Sequence, residues 1–298
     1  MKDIIPYFSQ NPLDRLDQVR GNSSKFLELF NSENTLFLLF DGSEIIVDEK
    51  NKNCLFQKNV LDEYGISTEE LILLGEYEGL VYFSATLKSK LNNNLSKISL
   101  RDFVHLNFLD ENKFGILAQA AAVLNWHEAH QFCSFCGKET KISRSGWKRD
   151  CISCDKEHFP RVDSAVIMLV TFGEYCLLGR GINFKERRYS CLAGYVESGE
   201  TFENAAKREL FEEAGIDSYD VEYLFSQPWP FPSTLMVGMR MKAKSQELTL
   251  DKNEIADAIW VHKDEVREVL NGKDDGAFSI PNKIAIARNL LELWVEEK

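Results

Sequence analysis

Apolar positions recur along this chain with two periods, and the change from one to the other outlines its elements. Short apolar runs bounded by turn residues predict strands at 36–40, 44–48, 71–76 and 80–85, with turns at Asp41-Gly42 and Glu78-Gly79. The Asn- and Lys-rich stretch from Lys88 to Lys97 reads as an exposed loop, and the Ala- and Leu-rich stretch from Gly115 to Gln131 as a helix. From Val162 the strand rhythm returns, at 164–171, 175–180, 189–192, 221–225, 235–242 and 259–261. A helix-forming run leads to Gly215, and the chain closes on an amphipathic helix over 283–297, with Ile284, Ala287, Leu291 and Trp294 on a shared face. Mixed strands and helices place the chain in the α+β or α/β class. Three domains are expected: an N-terminal α+β domain over 1–125, a cysteine-bearing module over 126–160 and a second α/β domain over 161–298.

Charge and targeting signals narrow the field. A net charge of −12 argues against strong non-specific binding to nucleic acid or anionic membrane. No apolar run approaches the length of a membrane span. Met1-Lys2-Asp3 lacks the apolar region of a signal peptide, and Glu296-Glu297-Lys298 is no address tag, so a cytoplasmic compartment is expected. Seven cysteines, an odd number, do not suit a secreted disulfide framework. Cys54, Cys176 and Cys191 read as buried free thiols, and the five histidines, which have no metal spacing with each other, as structural or surface residues.

Between Gly194 and Ile216 the residues specify chemistry. Gly194 to Gly199 reads as a loop, Thr201 as a helix cap with Glu203 in the first turn, and Gly215 as the helix stop. Glu209, Glu212 and Glu213 stand at i, i+3 and i+4, which puts three carboxylates on one helical face. Three like charges repel, and a hard divalent cation such as Mg2+ or Mn2+ removes that repulsion. Arg208 is expected to point away from this face and to pair with Glu200, tying loop to helix. An acidic helix face is commonly just solvated; here all nine defined positions agree with G-x5-E-x7-R-E-U-x-E-E-x-G-U, the Nudix signature, where U is aliphatic.

Two C-x2-C pairs, Cys133/Cys136 and Cys151/Cys154, are separated by fourteen residues. The spacing predicts one tetrahedral zinc with four thiolates and no open position, hence a structural ion. Two disulfides or metal-free thiols are the alternatives. The intervening hairpin carries Lys138, Lys141, Arg144, Lys148 and Arg149 around Trp147, which raises RNA contact through this loop as a further use.

Beyond the signature, Gln227-Pro228-Trp229-Pro230-Phe231-Pro232-Ser233-Thr234 alternates proline with aromatics. The prolines are expected to prevent regular strand pairing and stiffen a loop that presents Trp229 and Phe231 to a base or a nicotinamide ring. With Ser226 in front, the run resembles the S-Q-P-W-P-F-P-x-S motif of the NADH pyrophosphatase branch of the Nudix hydrolases, also called NAD-capped RNA hydrolases. Asn11-Pro12-Leu13-Asp14-Arg15, the entry Trp126–Gly137 to the cysteines, Phe159-Pro160-Arg161-Val162-Asp163 and Ile286-Ala287 extend the resemblance over essentially the whole chain.

That resemblance implies a C-terminal Nudix α/β/α sandwich and divalent metals held by Glu209, Glu212 and Glu213, the carbonyl of Ala193 and Glu254. Glu200 and Arg208 complete the signature's machinery. Substrate falls to Phe159, Tyr195, the run Gln227–Thr234 and Ala287, with zinc on the four cysteines. Phe159 stands where the family usually has Tyr, and Thr234 where it has Ser, changes that bear on the balance among substrates and leave the metal carboxylates intact. The implied reaction is metal-dependent hydrolysis of NADH or NAD+ to AMP and nicotinamide mononucleotide, and removal of NAD caps from RNA, by a homodimer. A hydrolase for another nucleoside diphosphate derivative such as ADP-ribose, or a dinucleotide sensor without catalysis, are the rivals. The intact Glu209, Glu212 and Glu213 argue against the sensor, and the Gln227–Thr234 run against ADP-ribose.

Overall fold

The computed structural model describes residues 4–92, 94–273 and 276–297; Met1–Asp3, expected to lack the apolar region of a signal peptide, and Lys298 at the other end lie outside the described residues. The chain forms two compact units, one of Gln10–Val162 with Trp229–Ser233, the other of Met1–Ser9, Asp163–Pro228 and Thr234–Lys298.

In the first unit, helix α1 (Ser23–Phe30) precedes strands β1 (Thr35–Asp41) and β2 (Glu44–Val47). Helix α2 (Asn59–Tyr64), strands β3 (Ile72–Tyr77), β4 (Leu80–Thr86) and β5 (Ser96–Ser99), and helices α3 (Leu100–Phe103) and α4 (Phe114–Ala129) follow. The sheet order is β3-β4-β1-β2-β5, with β1 and β4 parallel and the other neighbours antiparallel. Phe37, Leu39, Leu73 and Phe83 pack with Phe30, Val60 and Leu61 on one face. Helix α4 is apolar on nearly every side and correspondingly buried. Asn11 pins it: its amide donates to Gly115 O at 2.9 Å and Gln119 Oε1 at 2.7 Å, while Gln119 Nε2 reaches Leu74 O at 2.9 Å. Gly115 is required there, because a Cβ would lie 2.2 Å from Gln10 O. Strand β5 occupies the end of the expected 88–97 loop, where Ser96 and Lys97 pair with Val47 and Ile46.

The cysteine-bearing module belongs to the same unit and is a three-stranded antiparallel sheet of β6 (Thr140–Ser143), β7 (Lys148–Cys151) and β8 (Glu157–His158). Its hairpin tip is a dock. Trp147 Nε1 donates to Leu73 O at 2.7 Å, Ser145 Oγ to Arg20 O at 3.0 Å, and the Arg20 guanidinium stacks 4.0 Å from the Trp147 ring. His127 and Arg149 are both 7% exposed. Arg149 Nη1 and His127 Nδ1 are 3.1 Å apart, and His127 Nε2 and Gly146 O 2.7 Å. The neutral tautomer with Nε2–H satisfies both contacts. Part of the hairpin's basic set is thereby engaged within the unit: Arg149 and Trp147 pack inward, Lys148 pairs with Asp150 and Glu157, and Arg144 lies 3.5 Å from Asp17, while Lys138 and Lys141 are exposed.

Burial first, and the Arg149 charge after it, hold His127 down at about 4. Its unfolded value is higher, so the unfolded chain takes up the proton first as pH falls. Stability is expected to drop by about 3 kcal/mol between about pH 6.5 and about pH 4 on this account, and a His127→Gln variant should show a shallower slope of denaturation midpoint against pH in that window. Equal slopes would refute the neutral buried imidazole.

The second unit holds β9 (Asp163–Phe172), β10 (Tyr175–Gly181), β11 (Leu192–Tyr195), β12 (Ser218–Trp229), β13 (Thr234–Ala243) and β14 (Ile255–His262), with helices α5 (Phe202–Ala214), α6 (Lys263–Leu270) and α7 (Ile286–Glu296). The order is β12-β13-β9-β10-β14, with β11 also paired to β9. Alternation along β9 sorts the layers. Val166, Met168 and Val170 face Ala205, Ala206, Leu210 and Ala214 of α5, whereas Ile167 and Leu169 face Val266, Leu290, Leu291 and Trp294 of α6 and α7. The result is the expected α/β/α sandwich.

Three local expectations change. The strand expected at 189–192 is instead β11, because 192–195 pair with 165–168 of β9 while Tyr189 is drawn aside to Ser279. Gly194 and Tyr195 are therefore strand residues, and the loop begins at Val196. Strand β12 runs on through Pro228, past the expected end at Phe225. It lies at the end of the sheet order, where a proline lacking N–H leaves no ladder bond broken on its open side.

Candidate active site

Helix α5 starts where its cap predicts: Thr201 Oγ1 accepts from Asn204 N at 3.3 Å, and Glu203 sits in the first turn. It ends at Gly215, φ +70°, whose Cβ would lie 2.7 Å from Thr249 Cβ. That contact belongs to a strap. Thr249 N donates to Ala214 O at 2.9 Å and Asp251 N to Glu213 O at 3.1 Å, so the segment leading to Glu254 is tied to the helix end that carries the carboxylates.

The three carboxylates that share one face of α5 sit at different depths. Glu213 is 6% exposed, Glu209 half-buried and Glu212 exposed. Glu213 Oε2 is buried with no hydrogen-bond partner among the described residues. Its carboxyl is pushed up to about 8, first by burial and then by the charges of Glu209, Glu254 and Glu212. Burial likewise raises Glu209, against the pull of Arg208. Glu254, from a different segment, acts on both and so faces the same cluster. Gly194 sets the floor: a Cβ there would fall 1.8 Å from the Glu209 carboxyl carbon, so only glycine lets β11 approach this closely.

Arg208 grips Glu200 with two bonds, Nε to Oε1 at 2.7 Å and Nη2 to Oε2 at 2.9 Å, and Nη2 also reaches Tyr195 O at 2.9 Å. That grip, with the Glu197 N–H, holds Glu200 down at about 2. The expected loop-to-helix tie is present, but Arg208 does not point away from the acidic face. Its Nη1 donates to Glu209 Oε1 at 2.9 Å and to Glu212 Oε2 at 2.8 Å. A guanidinium has five donors in a fork, enough to serve the loop and the carboxylates together.

A hard cation fits this donor set. Mutually repelling carboxylates that run from the buried Glu213, with an unpartnered oxygen, to the exposed Glu212 and Glu254 are the ligands that Mg2+-like ions take. The cysteines meet the corresponding test for a soft ion. The sulfurs of Cys133, Cys136, Cys151 and Cys154 all lie within 4.8 Å of one another. Gly137, φ +71°, closes the first knuckle with its N–H on Cys133 O at 2.9 Å. In the second, the Ser153 and Cys154 N–H groups point at Cys151 Sγ and lower its thiol to about 7. Four converging thiols of this kind suit zinc with no site left open.

Comparison with known proteins bears on both centres. The chain matches the NUDIX domain over residues 160–279, the NADH pyrophosphatase zinc ribbon domain over 128–159 and the NADH pyrophosphatase-like rudimentary NUDIX domain over 34–126. It is 34% identical over 342 residues to the NAD-capped RNA hydrolase NUDT12 of Homo sapiens, covering 97% of this chain and 73% of that protein. The chain belongs to the Nudix hydrolases, in the NADH pyrophosphatase branch. The NAD-capped RNA hydrolase NudC of Mycobacterium tuberculosis is 41% identical over 193 residues, 62% of each chain. A NUDIX hydrolase crystal structure from Nitrosomonas europaea aligns with a TM-score of 0.44 and 22% identity, over 56% of this chain and 92% of that one, too distant to add to the assignment.

This Nudix hydrolase distributes the remaining candidate residues unevenly. Tyr195 ends β11 and is 59% exposed; Phe159, in the first unit, is 58% exposed. Gln227 is fully buried, and its Nε2 donates to Tyr7 O and Ile284 O, both at 2.9 Å, which makes it a pin within the second unit. Pro228 is half-buried, Pro230 and Thr234 are buried, Ser233 is half-buried and Pro232 is exposed after a cis peptide bond. Trp229 and Phe231 meet edge to face at 4.9 Å. Arg101, which no local spacing singled out, caps both rings at 5.3 and 4.5 Å. Ala287 is 2% exposed, in the core on the α7 side of the sheet, opposite the face that carries α5.

Proposed function

We propose that this Nudix hydrolase cleaves the diphosphate of NADH and NAD+, giving AMP and nicotinamide mononucleotide, and removes NAD caps from RNA to leave a 5′-monophosphate end. The observation that carries this reading is the partly buried cluster of Glu209, Glu212, Glu213 and Glu254 with its unpartnered oxygen. The names of its relatives, NAD-capped RNA hydrolases, supply the substrate class. Water forms the new P–O bond, the bridging oxygen leaves with the other nucleotide, and the water proton passes to a carboxylate, Glu212 or Glu209.

Mg2+ or Mn2+ would be held by Glu209, Glu212, Glu213, Glu254 and the carbonyl of Ala193, and neutralises charge developing on the phosphate oxygens when bound. Arg208, anchored by Glu200, steadies the carboxylates. Tyr195, exposed at the end of β11, takes the ring of the substrate; the family pattern also assigns Phe159, the Gln227–Thr234 segment and Ala287 to substrate, and of these Gln227 and Ala287 are buried. We further assign domain boundaries near 125 and 160, a homodimer and a cytoplasmic setting.

The test compares kcat/KM for NADH, NAD+, ADP-ribose and NAD-capped RNA with Mg2+ or Mn2+. Preference for ADP-ribose, or no turnover of any, would overturn the reading. Tyr195→Ala removes a proposed stack and should lower kcat/KM for NADH by about ten- to a hundredfold. A small diphosphate without the stacked ring should lose far less, because the Tyr195 carbonyl that Arg208 uses survives the substitution. Equal losses for both would assign Tyr195 to loop support.

A further inference from the structure

The first part of the connection between β10 and β11, residues Ile182–Arg188, is exposed throughout, and no step of the hydrolysis uses it. Ile182 and Phe184 are 54% and 42% exposed. Arg188 lies 5.4 Å over the Phe184 ring. Neither Lys185 nor Arg188 forms an ion pair with a described residue, in a chain whose net charge is −12. An aromatic ring, an exposed isoleucine and cations without such a partner, interleaved on one exposed segment, are a poor use of surface unless something covers them.

The segment is held in place. Phe184 N donates to Gly181 O at 2.9 Å, Arg188 N to Lys185 O at 3.1 Å and Tyr189 N to Ser279 O at 2.9 Å. Its first residue is tied to the catalytic cluster, since Ile182 N donates to the backbone oxygen of Glu254 at 3.0 Å. A substrate whose diphosphate rests on the carboxylates therefore has this loop as a neighbour within the same unit.

We propose that Ile182–Arg188 binds the RNA chain that follows the cap, with Phe184 stacking on a base and Lys185 and Arg188 meeting phosphates. The inference rests on the capped-RNA reading above. Its chemistry suits such a substrate: the cap is constant while the following bases vary, and a ring face stacks on any base. Cations on the loop supply phosphate contacts in a chain whose net charge is −12.

The test uses the full chain with its metals, and Phe184→Ala and Lys185→Ala/Arg188→Ala variants. Binding of a short 5′-monophosphate RNA, followed by fluorescence anisotropy, should weaken about tenfold in Phe184→Ala. The salt dependence of binding should flatten by about 0.7 in log–log slope for each phosphate that no longer meets a cation in the double variant. kcat/KM for NAD-capped RNA should fall in parallel while that for NADH stays at the wild-type value. Wild-type RNA affinity in both variants would overturn the proposal. So would equal losses on NADH and capped RNA, which would mean that the loop only supports Glu254, or altered sedimentation with RNA binding intact, which would mean that a second copy covers it. A wild-type chain that binds RNA through this loop yet hydrolyses neither substrate would sink the functional reading and keep the loop assignment; one that hydrolyses NADH without binding RNA would do the reverse.

Discussion

Glu213→Gln is expected to lower kcat by about a thousandfold or more while leaving the protein at least as stable as the wild type. The first half follows from charge. Metal stabilisation of a phosphoryl transition state is worth several kcal/mol, and each ~1.4 kcal/mol is a tenfold change in rate. The substitution keeps the shape of the side chain and removes an anionic ligand. The second half follows from burial: the Glu213 carboxyl is raised to about 8 by desolvation and by Glu209, Glu254 and Glu212. An acid raised in the folded state costs stability as pH rises from about 4.5 to about 8, here up to about 3 kcal/mol near neutrality without metal. Glutamine escapes that cost. Turnover of NADH and thermal melting in the presence of a chelator test both halves. A folded variant with near wild-type kcat would sink the metal assignment, and a lower melting temperature would contradict the electrostatic strain.

Cys151→Ser should remove zinc, expected at one per chain, and lower the melting temperature by at least about 10 °C. Apparent zinc affinities of such thiolate sites are ~10–16 kcal/mol, and one kcal/mol moves a domain of this size by about 2–4 °C. The module has little core of its own: Phe132, Phe135 and Ile152 are 62%, 74% and 59% exposed. Its two knuckles are linked by β6 and β7, and the hairpin tip is held by Trp147 on Leu73 of the neighbouring sheet and by Ser145 on the Arg20 carbonyl. Without the ion, the knuckles lose their closure while the tip stays docked, so loosening is expected to begin at the cysteines. Elemental analysis with calorimetry decides; wild-type protein free of zinc after purification without chelator would refute the structural ion.

Sequence spacing carried much of this molecule. Thr201 and Gly215 marked the ends of α5 because capping is local chemistry, set by a hydroxyl three residues from an amide and by a left-handed residue. The strands of both sheets were legible wherever an apolar run lay between turn residues, as at Thr35–Asp41 and Asp163–Phe172. The cysteine pairs announced their convergence for a similar reason, since a knuckle is built within a few residues.

What the spacing could not show was depth and company. Positions i, i+3 and i+4 place Glu209, Glu212 and Glu213 on one face, but only the packing of α5 on β9 and β11 buries Glu213 and leaves Glu212 in solvent. Glu254 joins them through the strap from Thr249 to Asp251, a tie between segments remote in sequence. The i, i+4 spacing of Arg208 and Glu212 and the tie to Glu200 lie in the sequence, but only the fold shows one guanidinium serving Glu200 and the acidic face together. That the tip of the basic hairpin docks, with Trp147 on Leu73, was not in the spacing, and Pro228 stayed in a strand because that strand is an edge. Local rules determine elements and their caps. Burial, strand register and the sharing of one charge among several partners depend on which distant segments pack together, and the tertiary structure alone decides them.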